Sequence, residues 1–430
     1  ELVRALEPEP VPPMSIHPVA LVIGGGLAGL MAALSLTHHG IEVHLVEKSA
    51  GLGGNLKQVY YALEGDDPQV FREDIINQVK TNRLIHVVLE TELVKTEGYA
   101  GNFVVSLKAN KSSLYFLEVG AIIVASGGEE YRPTEYLYGQ NKNIVTQREL
   151  ERKLFSAELD LKNMGSVVMI QCVGSREKER PYCSRLCCSW ALKNALRLKE
   201  GNPEIEVTVL YRDMTSYGFQ EEYYTQAREK GIIFVRYGLD GKPEVRQEEE
   251  RLVVEVAEPV LGGRLVLESD LVVLSPAIIP PENTPLARAL GVDLNEDGFF
   301  QEAEMKFRPV DFLTDGIYVC GLAHSPRGMG ESIAQAQAAA QRAVSLLTRG
   351  SLVSGIAVSE TIQRQCSQCE LCITVCPYTA RMKDVESGQV VVQGALCRGC
   401  GACVVACPGG AVKLIGFKDR QVFSLIDAAF

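Results

Sequence analysis

Residues 19–47 read VALVIGGGLAGLMAALSLTHHGIEVHLVE, and the order of residue types along them dictates one local architecture. The short apolar run from Val19 to Ile23 predicts a buried strand. It enters a turn with Gly24, Gly26 and Gly29 in the G-x-G-x-x-G spacing, then an apolar helix, then a second strand ending at Glu47. Each glycine answers a separate demand: a tight turn, close approach of backbone to a pyrophosphate, and contact of helix with strand. The helix N-terminus offers unpaired N–H groups and a positive dipole end to the phosphate. Glu47 lies 18 residues past Gly29, where a carboxylate accepts from an adenosine ribose hydroxyl. Lys48 beside it is a further candidate contact. The segment reads as the start of an α/β dinucleotide-binding domain.

Later segments favour FAD over NAD. GLGGN, residues 51–55 with Gly53, Gly54 and Asn55, follows the second strand as in flavin disulfide reductases, where such a run lets the chain pass the cofactor. AIIVASGGEEYRP, residues 121–133 with Gly127, resembles the strand and turn that return those chains to the FAD domain. DGIYVCGLAHSPRGMGESIAQAQAAAQRA, residues 315–343, resembles their second FAD motif. There a strand and Gly321 precede a small-residue helix, entered near Ser332, whose N-terminus faces the isoalloxazine ring and favours its anionic reduced form. Leu322 stands where an acid usually contacts the ribityl chain, so that contact is unassigned. His324 could reach the flavin, but it is expected at the surface.

Length and composition set the frame. A chain of 430 residues should hold about three domains. No apolar run reaches the roughly 18 residues of a membrane span. A net charge of −11 without a basic stripe argues against nucleic acid as a partner. Residues 1–16 are acidic and proline-rich, a linker and not a signal peptide, and the chain is expected to be cut from a longer one. The expected order is an FAD domain over 17–150 and 276–355, interrupted by a central domain over 151–275. A ferredoxin domain over 356–430 follows.

Thirteen cysteines without a secretion signal point to metal ligation or redox chemistry. Eight fall in CSQCELCITVCP and CRGCGACVVACP, the two-cluster ferredoxin spacing C-x2-C-x2-C-x3-C-P written twice. Three thiolates wrap one cubane and the fourth crosses to the other. One [4Fe–4S] cluster therefore takes Cys366, Cys369, Cys372 and Cys407. The second takes Cys397, Cys400, Cys403 and Cys376. Soft iron prefers sulfur donors; a pair of zinc knuckles would not need the third cysteine or the trailing proline.

The central segment, residues 165–275, has the length of the second dinucleotide unit of a thioredoxin-reductase-like chain. SVVMIQ (166–171) and VTVLYR (207–212) would be its first two strands. Its turn should carry three glycines. It reads CVGSRE, with Gly174 alone, which argues against a nicotinamide nucleotide there. In its place CVGSREKERPYCSRLCC (172–188) supplies Cys172, Cys183, Cys187 and Cys188. Four thiols are what a cubane needs, but this spacing matches no common ferredoxin or zinc pattern. A cluster and buried or redox-active thiols both stay open on spacing alone. Cys320, by itself in a predicted strand, is expected in the core.

The motifs LVIGGGLAGL, EKSAGLGGNL, CVGSREKERPYCSRLCC, YRDMTSYGFQEEYY and SIAQAQAAA, with the double ferredoxin tail, resemble the iron–sulfur flavoprotein subunit of heterodisulfide reductase. Flavin subunits of the quinone-interacting membrane-bound oxidoreductase complex are close cousins. The resemblance implies an α/β, thioredoxin-reductase-like flavoprotein of two Rossmann units with a C-terminal two-cluster ferredoxin domain. It implies FAD and three [4Fe–4S] clusters, the third on Cys172, Cys183, Cys187 and Cys188, and it places Lys193 near flavin N5. It further implies a cytoplasmic oxidoreductase, or one peripheral to a membrane complex as in the quinone-linked cousins, that converts two-electron flavin chemistry to one-electron transfer. Its partners would be other members of such a complex and an electron donor or acceptor protein such as a ferredoxin, hydrogenase or dehydrogenase subunit. A homodimer inside that complex stays open. Electron bifurcation at FAD follows from the resemblance alone, and a non-bifurcating conduit of a quinone-interacting complex is the alternative. The ferredoxin-like insertion that many relatives carry after GLGGN is missing, and residues 58–82 look helical instead.

Overall fold

Every position of Val19–Ile23 (β1) is apolar and buried, as a strand covered on both faces requires. The chain continues through Leu27–His38 (α1), Glu42–Val46 (β2), Pro68–Thr81 (α2) and Ile85–Val88 (β3). Helix α2 starts where Asp67 caps the N–H groups of Gln69 and Val70 ahead of Pro68, a favourable first turn. A meander of Thr91–Tyr99 (β4), Asn102–Ala109 (β5) and Ser113–Val119 (β6) returns the chain as Ala121–Val124 (β7). This computed structural model describes residues 14–109, 113–249, 251–258, 262–352, 358–385, 387–394, 396–417, 421–423 and 426–427. Of the expected linker over 1–16, residues 1–13 lie outside the described residues. Met14 and Ser15 pair with Leu352 and Ser351.

The same sequence of elements then recurs. Ile144–Thr146 (β8) and Gln147–Phe155 (α3) lead into Ser166–Val173 (β9), Cys187–Gly201 (α4), Glu206–Tyr211 (β10), Glu221–Glu229 (α5) and Ile233–Arg236 (β11). A second meander, Glu244–Glu248 (β12), Arg251–Glu258 (β13) and Gly263–Ser269 (β14), returns as Leu271–Pro276 (β15). The chain crosses back through Thr284–Leu290 (α6) to Ile317–Val319 (β16) and Met329–Leu347 (α7). Both sheets are parallel and five-stranded, ordered β16-β7-β1-β2-β3 and β8-β15-β9-β10-β11. Strand pairing of Glu129–Glu130 with Ile278–Ile279 ties the two crossovers between the units.

Helix α7 lies on α1, and small residues make this possible. Ala336, Ala339, Ala340 and Ala343 are buried in the same core as Leu30, Ala33 and Leu36. Filling that close contact with a larger side chain would cost about 1–3 kcal/mol. The packing fixes the N-terminus of α7 above the first glycine turn.

The C-terminal module repeats a smaller pattern. Ser359–Thr361 (β17), Leu371–Thr374 (α8), Arg381–Lys383 (β18), Val390–Val392 (β19), Ala402–Val405 (α9) and Val412–Leu414 (β20) form two antiparallel pairs, β17 with β20 and β18 with β19. An ion pair of Arg398 with Asp315 connects the module to the segment before β16.

Candidate functional site

The turn after β1 is shaped by sterics. Gly24 has φ +108°, and a Cβ there would stand 2.2 Å from the Ala125 carbonyl oxygen. A Cβ on Gly29 would meet the Gly24 carbonyl at 1.8 Å. A Cβ on Gly26 would find only Gly54 Cα, at 3.9 Å, so its missing side chain leaves open space. Glu47 closes the turn from below, accepting from Gly25 N–H at 2.6 Å and Ser49 N–H at 2.7 Å.

That open space belongs to a cavity of about 1730 Å³, well beyond the roughly 300–1,000 Å³ of small-ligand pockets. Its walls include Gly24, Gly26, Glu47, Lys48, Gly54, Asn55, Gly127, Lys193 and Ser332. Gly29, Gly53 and Gly321 shape the walls from behind: Gly53 has φ +110°, and a Cβ on Gly321 would meet Ala28 Cβ at 2.7 Å. Asn55 donates to the Gly128 carbonyl at 2.8 Å and accepts from Arg148 at 3.2 Å. The first turn of α7, Met329 to Ser332, opens on the cavity, which suits a dinucleotide whose ring meets a positive dipole end. The chain's own residues therefore fit FAD.

At the cavity's far wall Lys193 is buried, paired with Glu151 at 2.7 Å, and donates to the Tyr61 carbonyl at 2.9 Å. Burial lowers its affinity for a proton, opposed by Glu151. Arg185 donates to Glu331 at 2.5 Å and to Tyr217 at 2.7 Å, while Tyr217 donates to Glu331 at 2.9 Å. One network thus joins the cysteine loop, the loop after β10 and the first turn of α7.

The four central cysteines converge. Strand β9 carries a register shift between Ile170 and Val173 against β15, and Cys172 takes φ +61° there. Such bulges re-aim side chains beside functional sites. Cys183 accepts from Arg185 N–H at 3.3 Å, and Cys188 from Thr215 N–H at 3.3 Å. Burial, reinforced by Cys188 and Cys183, pushes the Cys172 thiol up to about 11. Burial and all three companions push Cys187 well above its ordinary value. All four are free thiols. Among the described residues no three cysteine sulfurs gather within 4.8 Å. Side chains crowd the turn after β9: a Cβ on Gly174 would meet Tyr131 at 2.5 Å, and Arg180 lies over that ring.

In the C-terminal module Cys376, Cys397, Cys400 and Cys403 line one cavity. Cys366, Cys372 and Cys407 pack together in the module's core; Cys369 is exposed. Backbone N–H groups of Gln368, Ala380, Ser359 and Ala411 point at Cys366, Cys376, Cys397 and Cys407 at 3.2–3.4 Å, the kind of hydrogen bond that tunes a cluster.

Residues 19–170 match the pyridine nucleotide-disulphide oxidoreductase family, and residues 360–408 match the 4Fe-4S dicluster domain. The chain is 31% identical to the iron–sulfur subunit of CoB–CoM heterodisulfide reductase from Methanocaldococcus jannaschii, over 99% of this chain and 79% of that one. It is also 31% identical to the corresponding subunit of the H(2):CoB-CoM heterodisulfide,ferredoxin reductase from Methanothermobacter marburgensis, over 99% and 78%. The chain belongs to this family of heterodisulfide reductase iron–sulfur subunits. Thioredoxin reductase of T. acidophilum shares its fold, with a TM-score of 0.52 at 15% identity over 76% of this chain and 99% of that one. Thioredoxin reductase of Lactococcus lactis does likewise, at 0.52 and 15% over 77% and 99%. The chain is thus an oxidoreductase subunit with flavin and iron–sulfur cofactors on a thioredoxin-reductase-like frame.

The alignment to the first relative is gapped: it runs over 526 positions for 430 residues. Among the described residues no helix is long and apolar enough to cross a membrane. Sequence reasoning missed Glu151, Arg148, Glu331 and Tyr217, whose partners are distant in the chain and carry no motif. His324 needs correction. It is not a surface histidine but half-buried, bonded to Glu302 at 3.0 Å, Gln335 at 2.8 Å and Arg327 at 2.7 Å, because the loop before α7 folds over it. Cys320 is fully buried, as expected.

Proposed function

We propose that the chain converts two-electron flavin chemistry into one-electron transfer through three [4Fe–4S] clusters, inside a heterodisulfide-reductase-like complex of several subunits. One observation supports this above the rest: the first turns of α4 carry Cys187 and Cys188 on one side and give Trp190 and Lys193 to the cavity. Five residues of helix separate Cys188 from Lys193, about 7.5 Å of rise, so flavin and cluster would be neighbours. Bound FAD supplies exchange of an electron pair, and clusters carry electrons singly over about −700 to +450 mV.

The chain's own residues have distinct tasks in this reading. Gly24, Gly26 and Gly29 admit the pyrophosphate, Glu47 accepts from the ribose, and Lys48, Gly54, Asn55, Gly127 and Ser332 line the cofactor's path. Gly53 and Gly321 hold the walls. Lys193 holds a positive charge where a reduced ring gathers negative charge. Cys172, Cys183, Cys187 and Cys188 hold the nearby cluster. Cys366, Cys369, Cys372 and Cys407 hold one cluster of the tail, and Cys397, Cys400, Cys403 and Cys376 the other. Cys369 and Cys400 are exposed, which suits exchange with a ferredoxin, hydrogenase or dehydrogenase partner.

Bifurcation of the pair between a high- and a low-potential acceptor is the fuller form of this reading. The gaps inside the alignment to the first relative, 526 positions for 430 residues, favour a second form, a conduit with fewer exits in a quinone-interacting complex. Crossed one-electron potentials of the flavin in redox titration support bifurcation, and the ordinary order supports the conduit. Anaerobic quantitation of iron and flavin in the purified chain tests both. About twelve iron and one FAD per chain are expected from three cubanes; about eight iron removes the central cluster.

A further inference from the structure

Arg381 opens β18 in the tail module and is 2% exposed. Its guanidinium donates to Ser359 Oγ at 2.8 Å, to Thr361 Oγ1, and to Cys403 Sγ at 3.7 Å. None of these partners is a carboxylate. Its Nε is buried with no hydrogen-bond partner. Ser359 itself sits on the other side against Cys397, reaching its sulfur through N–H at 3.4 Å and hydroxyl at 3.7 Å. Arg381 lines the same cavity as Cys376, Cys397, Cys400 and Cys403.

A guanidinium so enclosed is costly unless an anion compensates it. Hydroxyls do not. A thiolate-bound cubane does, because it is negative in both oxidation states. We propose that Arg381 is the counter-ion of the tail cluster on Cys376, Cys397, Cys400 and Cys403 and makes it easier to reduce. The inference rests on these cysteines holding [4Fe–4S] clusters. The step it governs is [4Fe–4S]2+ plus one electron giving [4Fe–4S]+. No bond is made or broken and no proton moves, and the electron comes from reduced flavin in the protein or from dithionite in the test. The added negative charge arises beside a fixed positive one in a poorly screened interior, so the reduced form is favoured. Electrons leaving the flavin would then settle in the tail.

The test is a mediated redox titration of the anaerobic holoprotein followed by electron paramagnetic resonance, with iron counted in each variant. In Arg381→Gln, at the wild-type midpoint of the affected cluster, the reduced-to-oxidised ratio should fall about tenfold, a shift of 59 mV for one electron. Arg381→Lys should return most of it. Full iron with unmoved midpoints in Arg381→Gln overturns the proposal while leaving the clusters in place. If Arg381→Gln sheds its tail iron, Arg381→Lys decides: near-wild-type midpoints support the counter-ion, and a fall as large as tenfold overturns it. A wild-type chain without the two tail signals overturns the cluster reading itself.

Discussion

Lys193 Nζ lies 2.7 Å from Glu151 Oε2, with side chains 6% and 2% exposed. The pair joins α4 to α3, and Glu151 also accepts from Tyr60 N–H at 2.7 Å, so the loop carrying Tyr60 and Tyr61 is fastened by the same two charges. Either partner left alone would be an uncompensated buried charge, at about 3–5 kcal/mol. Lys193→Met and Glu151→Gln are each expected to lower the apparent unfolding midpoint of the holoprotein strongly. The double variant should recover at least half of the loss, since it removes both charges. Additive losses in chemical denaturation would show that the two residues are not coupled.

The three glycines after β1 differ in what they exclude, and their alanine variants should differ too. In Gly29→Ala the new methyl would fall on the Gly24 carbonyl, so soluble protein and helical circular dichroism should drop. Gly26→Ala has room for its methyl in the protein, but that room opens on the cavity. It should fold with near-normal circular dichroism and carry less than half of the wild-type flavin. Equal flavin content in Gly26→Ala and wild type would mean the pyrophosphate lies elsewhere.

Local signals made much of this legible. The turn of Gly24, Gly26 and Gly29, the strand 166–171 and the two four-cysteine runs of the tail each announce themselves by spacing over a short stretch of chain, because backbone sterics and ligand reach are short-range. The meander that recurs in the two units left no such trace. Strands β1 and β9 share burial, not residues, and only one of their turns kept its glycines. Long-range pairs were equally silent. Glu151 becomes a partner of Lys193, and Arg185 of Glu331, only when α3, α4 and α7 pack, and a charged residue on an amphipathic helix reads as solvated until then. His324 misled for a related reason: two of its three partners, Glu302 and Gln335, lie on other elements.

Two buried cysteines separate ligand from core. Cys187 feels the other three central thiols, whereas Cys320 is as deeply buried with no thiol partner among its influences. Cys187→Ala should cost the purified chain about four iron, the content of one cubane, with flavin retained. Cys320→Ala should keep all iron and flavin and cost about 1 kcal/mol, a typical core truncation of one sulfur. Iron loss in both variants would point to general instability, and in neither to a site without a metal.

The contact of His324 with Glu302 sets an acid limit on the loop before α7. Burial holds His324 below its ordinary value of 6.5. The unfolded chain therefore takes up this proton first as pH falls past about 6.5, and stability declines from there. Glu302, although burial opposes it, is held below 4.5 by its hydrogen bond from His324, so its contribution is present above 4.5 and is lost as pH falls through its folded value. Both groups destabilise in acid, His324 first. Lowering the pH from about 7.5 to about 5.5, across the range where histidine charges, should reduce the apparent melting midpoint of the wild type. His324→Gln, which keeps a hydrogen-bonding side chain but cannot charge, should show a shallower decline over the same interval. Identical slopes for the two proteins, measured by release of flavin fluorescence on heating, would rule out His324 as the titrating group.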